Sequence, residues 1–229
     1  MALIVELDPV IASETSLLVT LATVHAIALA SPGPDFALVV QNAARYGRRT
    51  GFYIAFGLSI GILLHSLFSL TGVSLLIQQH PMWFVVIKLA GGSYLLWLGI
   101  SALGYVLAHR GEKRAMAKVE VTKGLESPLA AFSRGFMTNI LNPKALVFFV
   151  SLFSSLVPAD LSFEGKLGAL FILWSLAFAW FAILAQLLTS KRLQSKLQSA
   201  ALTLDGICGV VFVLVGGGIL WSTLMNAMG

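Results

Sequence analysis

Six apolar runs dominate the chain, near residues 16 to 44, 51 to 76, 82 to 107, 131 to 157, 167 to 189 and 202 to 225. Each reaches about 20 residues or more, the length a helix needs to cross a bilayer. The polar stretches between them are short, except for one near 108 to 130 that is charged, mixed in sign and without apolar period. It reads as a loop outside the membrane with room for a short surface helix. The pattern predicts an all-α polytopic membrane protein, with six transmembrane helices in one domain over 1 to 229.

The first and fourth runs are interrupted. Ser31-Pro32-Gly33-Pro34-Asp35 sets two prolines, a glycine and a carboxylate inside the first, and Asn142-Pro143-Lys144 breaks the fourth. Proline has no N–H, so the carbonyls of Ala28, Ala30 and Asn139 lose their helical partners. Unpaired backbone at membrane depth persists only inside protein or beside a watery cavity, and a charge there marks a functional-site candidate. The breaks come about 15 and about 12 residues into their runs, which at roughly 1.5 Å per residue puts both near the midplane. Ser31 is suited to cap the restarted helix with Pro32 at its first position, and Asn142 to cap the other with Pro143 following. Two helix N-termini would then offer free N–H groups and partial positive charge to a carboxylate.

The two halves resemble each other. Pro34-Asp35-Phe36-Ala37-Leu38-Val39 aligns with Pro143-Lys144-Ala145-Leu146-Val147-Phe148, and Lys88, Gly92 and Gly99 match Asp205, Gly209 and Gly216 at the same spacings. The first repeat covers about 15 to 107 and the second about 131 to 225, with the linker from about 108 to 130 between them. Three spans in each half require an inverted relation, and paired proline breaks in inverted halves point to a transporter's binding site.

Composition agrees with a membrane chain: 58% of the 229 residues are hydrophobic, 11% are charged, and the mean hydropathy is +0.90. The net charge of +5 is a topology signal. Arg45, Arg48 and Arg49 follow the first run; Arg110, Lys113, Arg114, Lys118, Lys123 and Arg134 surround the linker; Lys191, Arg192 and Lys196 follow the fifth. These loops are placed in the cytoplasm and both termini outside it. Only Lys88, Lys144 and Lys166 of the fifteen basic residues depart from this alternation. Basic residues confined to such loops do not make a nucleic-acid surface. Residues 1 to 15 hold Glu6, Asp8 and Glu14 but no Lys or Arg, the reverse of a signal peptide's start, so the segment is read as retained. Cys208 is the single cysteine, which excludes an intrachain disulfide and thiol-pair redox chemistry. No Walker loop, His/Cys metal spacing or Gly-x-Ser-x-Gly appears, so neither a cofactor, a metal nor an enzyme activity is expected.

The remaining polar residues in the runs have bland readings to set beside functional ones. Asp35 paired with Lys144 would serve as a structural ion pair. Two broken helices with opposite charges at midplane are a costly scaffold, which favours a site. His25 and His65 read first as helix-to-helix hydrogen bonds. His25, about two and a half turns before Asp35, is a secondary candidate for proton coupling, as is Asp205. Lys88 has a stem that can snorkel outward. Gly57-Leu58-Ser59-Ile60-Gly61 suits close helix contact, and Trp83, Trp97, Trp180 and Trp221 suit an aromatic belt.

Val24 to Leu29 leading into Ser31-Pro32-Gly33-Pro34-Asp35-Phe36, then Gly91-Gly92-Ser93-Tyr94-Leu95-Leu96-Trp97-Leu98-Gly99, then Arg134 to Ala145 with Asn139 and Asn142-Pro143-Lys144, resemble the LysE/RhtB family of amino-acid exporters. Asp35, Asp205-Gly206 and Ala179-Trp180-Phe181 are similar to its threonine-efflux branch. The acidic segment from Met1 to about Glu14 is an extension to the family pattern. The resemblance implies a bacterial inner-membrane protein that exports threonine, homoserine or a related small amino acid against protons. A homodimer is in keeping with a transporter of this size. In this reading Asp35 receives the cargo's ammonium and the proton, while Asn142, Pro143 and Lys144 receive its carboxylate and Asn139 is a further polar ligand. The alternative on the same fold is cation or heavy-metal efflux, against which stands the shortage of intramembrane Cys or acidic clusters.

Overall fold

The computed structural model describes residues 9–79, 81–109, 127–158, 160–187 and 191–228, and every regular element among them is a helix. These are α1 (Pro9–Ala30), α2 (Pro34–Tyr46), α3 (Arg48–Gln79), α4 (Pro81–Ala108), α5 (Pro128–Ile140), α6 (Pro143–Leu156), α7 (Phe163–Leu187) and α8 (Lys191–Met228). Three of them, α2, α5 and α6, carry a proline at the start of the helix behind a described cap, where its fixed φ and missing N–H suit the first helical position. The surface helix expected in the linker, and the first eight residues of the acidic segment, lie outside the described residues.

Four stretches are long and apolar enough to cross a membrane singly: Arg48–Gly72, Val85–Ala108, Phe163–Leu187 and Ala200–Met225. Two further pairs, Glu14–Ala30 with Pro34–Tyr46 and Pro128–Ile140 with Pro143–Leu156, qualify together but are bent by 58° and 59° at their breaks. The chain is therefore a polytopic helical membrane protein with four to six crossings. Its two bends have nearly the same angle.

The first break corrects one expectation. Gly33 caps α2, with extended backbone and no side-chain cap bond, and Pro34 is the first helical residue. Ser31 is not the cap, because Pro34 drives the residue before it out of the helical region, and the helix cannot start until Gly33 is passed. Of the two carbonyls expected to lose their partners at this break, that of Ala28 finds another. The Ser31 N–H turns back to Ala28 O at 3.2 Å, which leaves Ile27 O to accept from the Cys208 thiol at 3.1 Å. At the second break Asn142 caps as expected, its Oδ1 accepting from Lys144 N at 3.0 Å. The Asn139 carbonyl freed by Pro143 accepts from Asn142 N and from His65 Nε2, at 2.9 and 3.1 Å.

Glycine sets the closest helix approaches. A Cβ on Gly57 of α3 would lie 2.1 Å from Phe132 O of α5, and one on Gly135 of α5 would lie 2.2 Å from Ile54 O of α3. The α4–α8 contact is reciprocal: Gly99 faces the Gly209 carbonyl and Gly216 faces the Gly92 carbonyl, so the two helices run antiparallel. Large apolar side chains such as Phe68, Trp83, Trp97 and Trp221 face outward, the expected partner of lipid. Trp180 instead packs against the core.

At the far end of α1, Glu14 accepts from the Ser162 N–H at 3.0 Å and from its hydroxyl at 2.9 Å, while Ser162 Oγ accepts from Gly165 N at 2.9 Å. A carboxylate thus sits at the N-terminus of α7, where the helix dipole favours it. Ser162→Ala removes the hydroxyl from both bonds and should cost about 1 kcal/mol, lowering the melting temperature of the detergent-solubilised protein by roughly 2–4 °C. An unchanged melting curve would mean that this clamp contributes nothing.

Candidate functional site

The two bends meet at one cavity of about 70 Å³. At roughly 10–15 Å³ per water on this measure, it holds about five waters or one small solute. Ser31, Gly33, Pro34 and Asp35 line it from the first break; Asn139, Asn142 and Lys144 line it from the second. Residues more than a hundred positions apart therefore share one polar floor.

That floor has two electrical poles. Asp35 Oδ2 accepts from Asn139 Nδ2 at 2.6 Å. Its Oδ1 is buried without a hydrogen-bond partner among the described residues, as is Asn139 Oδ1. Both are acceptors, so the negative pole asks for a multiple donor. The positive pole is Lys144, whose Nζ donates to Ser31 Oγ at 3.2 Å and acts electrostatically on Asp35. Beside it stand the starts of α2 and α6, whose first-turn N–H groups carry partial positive charge. A zwitterion presents the complementary pair.

The rest of the wall is apolar and aromatic, built by Phe148 and Phe149 of α6, Phe181 of α7 and Phe212 of α8. Sequence reading did not mention Phe149 or Phe212, and it met Phe148 only in the repeat alignment and Phe181 only in the Ala179-Trp180-Phe181 motif. One signal was available for Phe148, which is four residues after Lys144 and so shares its helix face. His25 also lines the cavity, its Nε2 donating to Leu173 O at 3.1 Å. His65 is not among the lining residues but holds Asn139 by its carbonyl. Phe149 lies between the two imidazoles, 5.5 Å from His25 and 6.1 Å from His65 between ring centres.

Both histidines thus make the helix-to-helix bonds expected of them. Pro32 and Pro143 shape the breaks without lining the cavity. Asp205 is buried on α8 but is not among the lining residues either.

Gly61 of α3 lies directly against the Asn139 carboxamide, and a Cβ there would come 2.6 Å from Asn139 Oδ1. Gly61→Ala should therefore push the carboxamide off Asp35. We expect solute binding to fall about tenfold or more while stability falls by roughly 1–3 kcal/mol, as overpacking commonly does. Binding that survives with full affinity in a folded Gly61→Ala protein would contradict this placement of Asn139.

The LysE type translocator family model matches residues 26–223, which contain both breaks and every cavity-lining residue except His25. The chain belongs to this family. The LysE-type chain is 31% identical over 200 residues to the threonine efflux protein of Escherichia coli strain K12, covering 87% of this chain and 95% of that one. It is 30% identical over 197 residues to the threonine efflux protein of Salmonella typhi, covering 86% and 94%. It is 28% identical over 186 residues to the leucine efflux protein of Enterobacter sp. strain 638, covering 80% and 84%. No solved structure matches the chain. As a LysE-family membrane exporter, it is a transporter and not an enzyme.

Proposed function

We propose that this protein exports a small neutral amino acid of the threonine or homoserine kind from the cytoplasm, in exchange for protons, across a bacterial inner membrane. The observation that carries the proposal is the pair of poles in one cavity. Buried acceptors on Asp35 and Asn139 suit an ammonium, and Lys144 with the two helix starts suits a carboxylate. The names of the threonine efflux proteins, which align over most of the chain, support the same cargo. No group of three His, Cys, Asp or Glu residues suited to a metal occurs among the described residues, which weighs against cation efflux.

The architecture we propose is six spans in two inverted repeats, about 15 to 107 and about 131 to 225, with both termini periplasmic. The matched bends and the reciprocal Gly99–Gly209 and Gly92–Gly216 approaches support it. Cargo enters from the cytoplasm and its ammonium settles on Asp35. A proton from outside then neutralises that carboxylate, weakens the ammonium contact and releases the cargo outward. His25 and Asp205 remain secondary positions for the proton.

A panel of labelled neutral amino acids loaded into bacteria tests the cargo. Cells making the protein should lose threonine and homoserine faster than cells carrying an empty vector. Loss of none of the panel from cells with well-folded protein in the membrane would end the amino-acid reading.

A further inference from the structure

The acceptors at Asp35 and Asn139 form one cluster, joined by their mutual hydrogen bond. A third acceptor lies apart from them. His25 is almost wholly buried on α1, with 2% exposure, and lines the same cavity. Its Nε2 donates to the Leu173 carbonyl, which can only accept, so the neutral ring carries its proton there and leaves Nδ1 as a bare acceptor. That Nδ1 is buried and has no hydrogen-bond partner among the described residues. Ser31, at the break, is six residues further along the chain, which corresponds to roughly 9 Å of backbone at the helical rise. Around it the wall is aromatic: its ring stacks on Phe148 at 6.3 Å and tilts against Phe149 at 5.5 Å.

Resting on the amino-acid reading above, we propose that His25 Nδ1 accepts a hydrogen bond from a hydroxyl on the cargo's side chain. His25 is then a residue that determines specificity, and the substrate class is the neutral hydroxy amino acids. An ammonium held at Asp35 cannot also serve an acceptor a turn or more away, so the second donor belongs to the side chain. A charged side chain would need more partners than an aromatic wall supplies. A hydroxyl brings one donor on a small apolar body. An apolar isostere of the same size leaves Nδ1 buried and unmet, which disfavours it.

The test is displacement of labelled amino acid from the purified full-length protein in lipid nanodiscs. Threonine and homoserine should compete at concentrations about tenfold or more below those of valine and 2-aminobutyrate. In His25→Phe that preference should shrink to about twofold or less. His25→Gln should restore it, because its amide N–H can keep the Leu173 bond while its oxygen accepts from the cargo. Equal competition by threonine and valine on the wild type overturns the proposal, as does a preference kept in full by His25→Phe. Should His25→Phe fail to fold, the wild-type ratio and His25→Gln still decide: a folded His25→Gln that loses the preference counts against it. Labelled valine that binds and is not displaced better by threonine rejects this inference alone. Failure of every neutral amino acid to bind rejects the transport reading with it.

Discussion

Asp35→Asn should leave the fold intact and abolish export. The replacement is isosteric, and its side-chain oxygen can still accept the bond that Asn139 Nδ2 makes to Asp35 at 2.6 Å. In the proposed mechanism, what it removes is the charge that faces the cargo's ammonium in the cavity. Truncating one partner of a buried charge pair commonly costs about 2–5 kcal/mol, so the apparent affinity should fall by roughly thirtyfold or more. The substitution also imitates the protonated carboxylate permanently, which in the proposed mechanism would hold the site in its releasing condition. Melting temperature should stay near the wild-type value while efflux in cells drops to background. Efflux at half the wild-type rate would retain the exporter and discard Asp35 as its coupling residue.

The second large effect concerns the α3–α5 contact that carries Asn139. Gly57→Ala and Gly135→Ala each put a methyl group about 2 Å from a backbone carbonyl of the opposite helix, where no side chain can rotate away. The helices must separate, and overpacking of this kind costs about 1–3 kcal/mol or more per site. A fall of roughly 5–10 °C in melting temperature is expected for each, together with loss of binding through the displaced Asn139. Gly104→Ala and Gly217→Ala are the matched controls, because a Cβ at either meets nothing within 4 Å. They should be neutral or slightly stabilising, since alanine is the better helix former. Equal effects in both pairs would mean that the glycines act through helix propensity and not through close packing.

Much of this site was legible because its chemistry is local. Prolines in an apolar run reveal a break wherever the chain goes, and Asn142-Pro143 spells out a cap whose bond lies two residues away. The glycine pair at Gly57 and Gly61 announced a close approach, and the structure supplies its partners in Phe132 and Asn139. At the first break local reading misplaced the cap, because two prolines compete for the first helical position and only the second can hold it once Gly33 is extended. The aromatic wall was illegible for a different reason. A span that is apolar on every side carries no stripe to say which face turns inward, so Phe181 and Phe212 look like lipid-facing residues until the bundle is assembled. Contacts such as Lys144 with Ser31, or Glu14 with Ser162, join residues far apart in the chain and leave no trace in spacing.

Proton-coupled export through the cavity at the two breaks is most directly tested in proteoliposomes loaded with labelled threonine under an imposed proton gradient. Wild-type protein should release label faster when the outside is acidic, and a protonophore should remove the difference. Asp35→Asn should release none above protein-free vesicles. Release by the wild type that ignores the gradient, or gradient-driven release that Asp35→Asn preserves, would contradict the account.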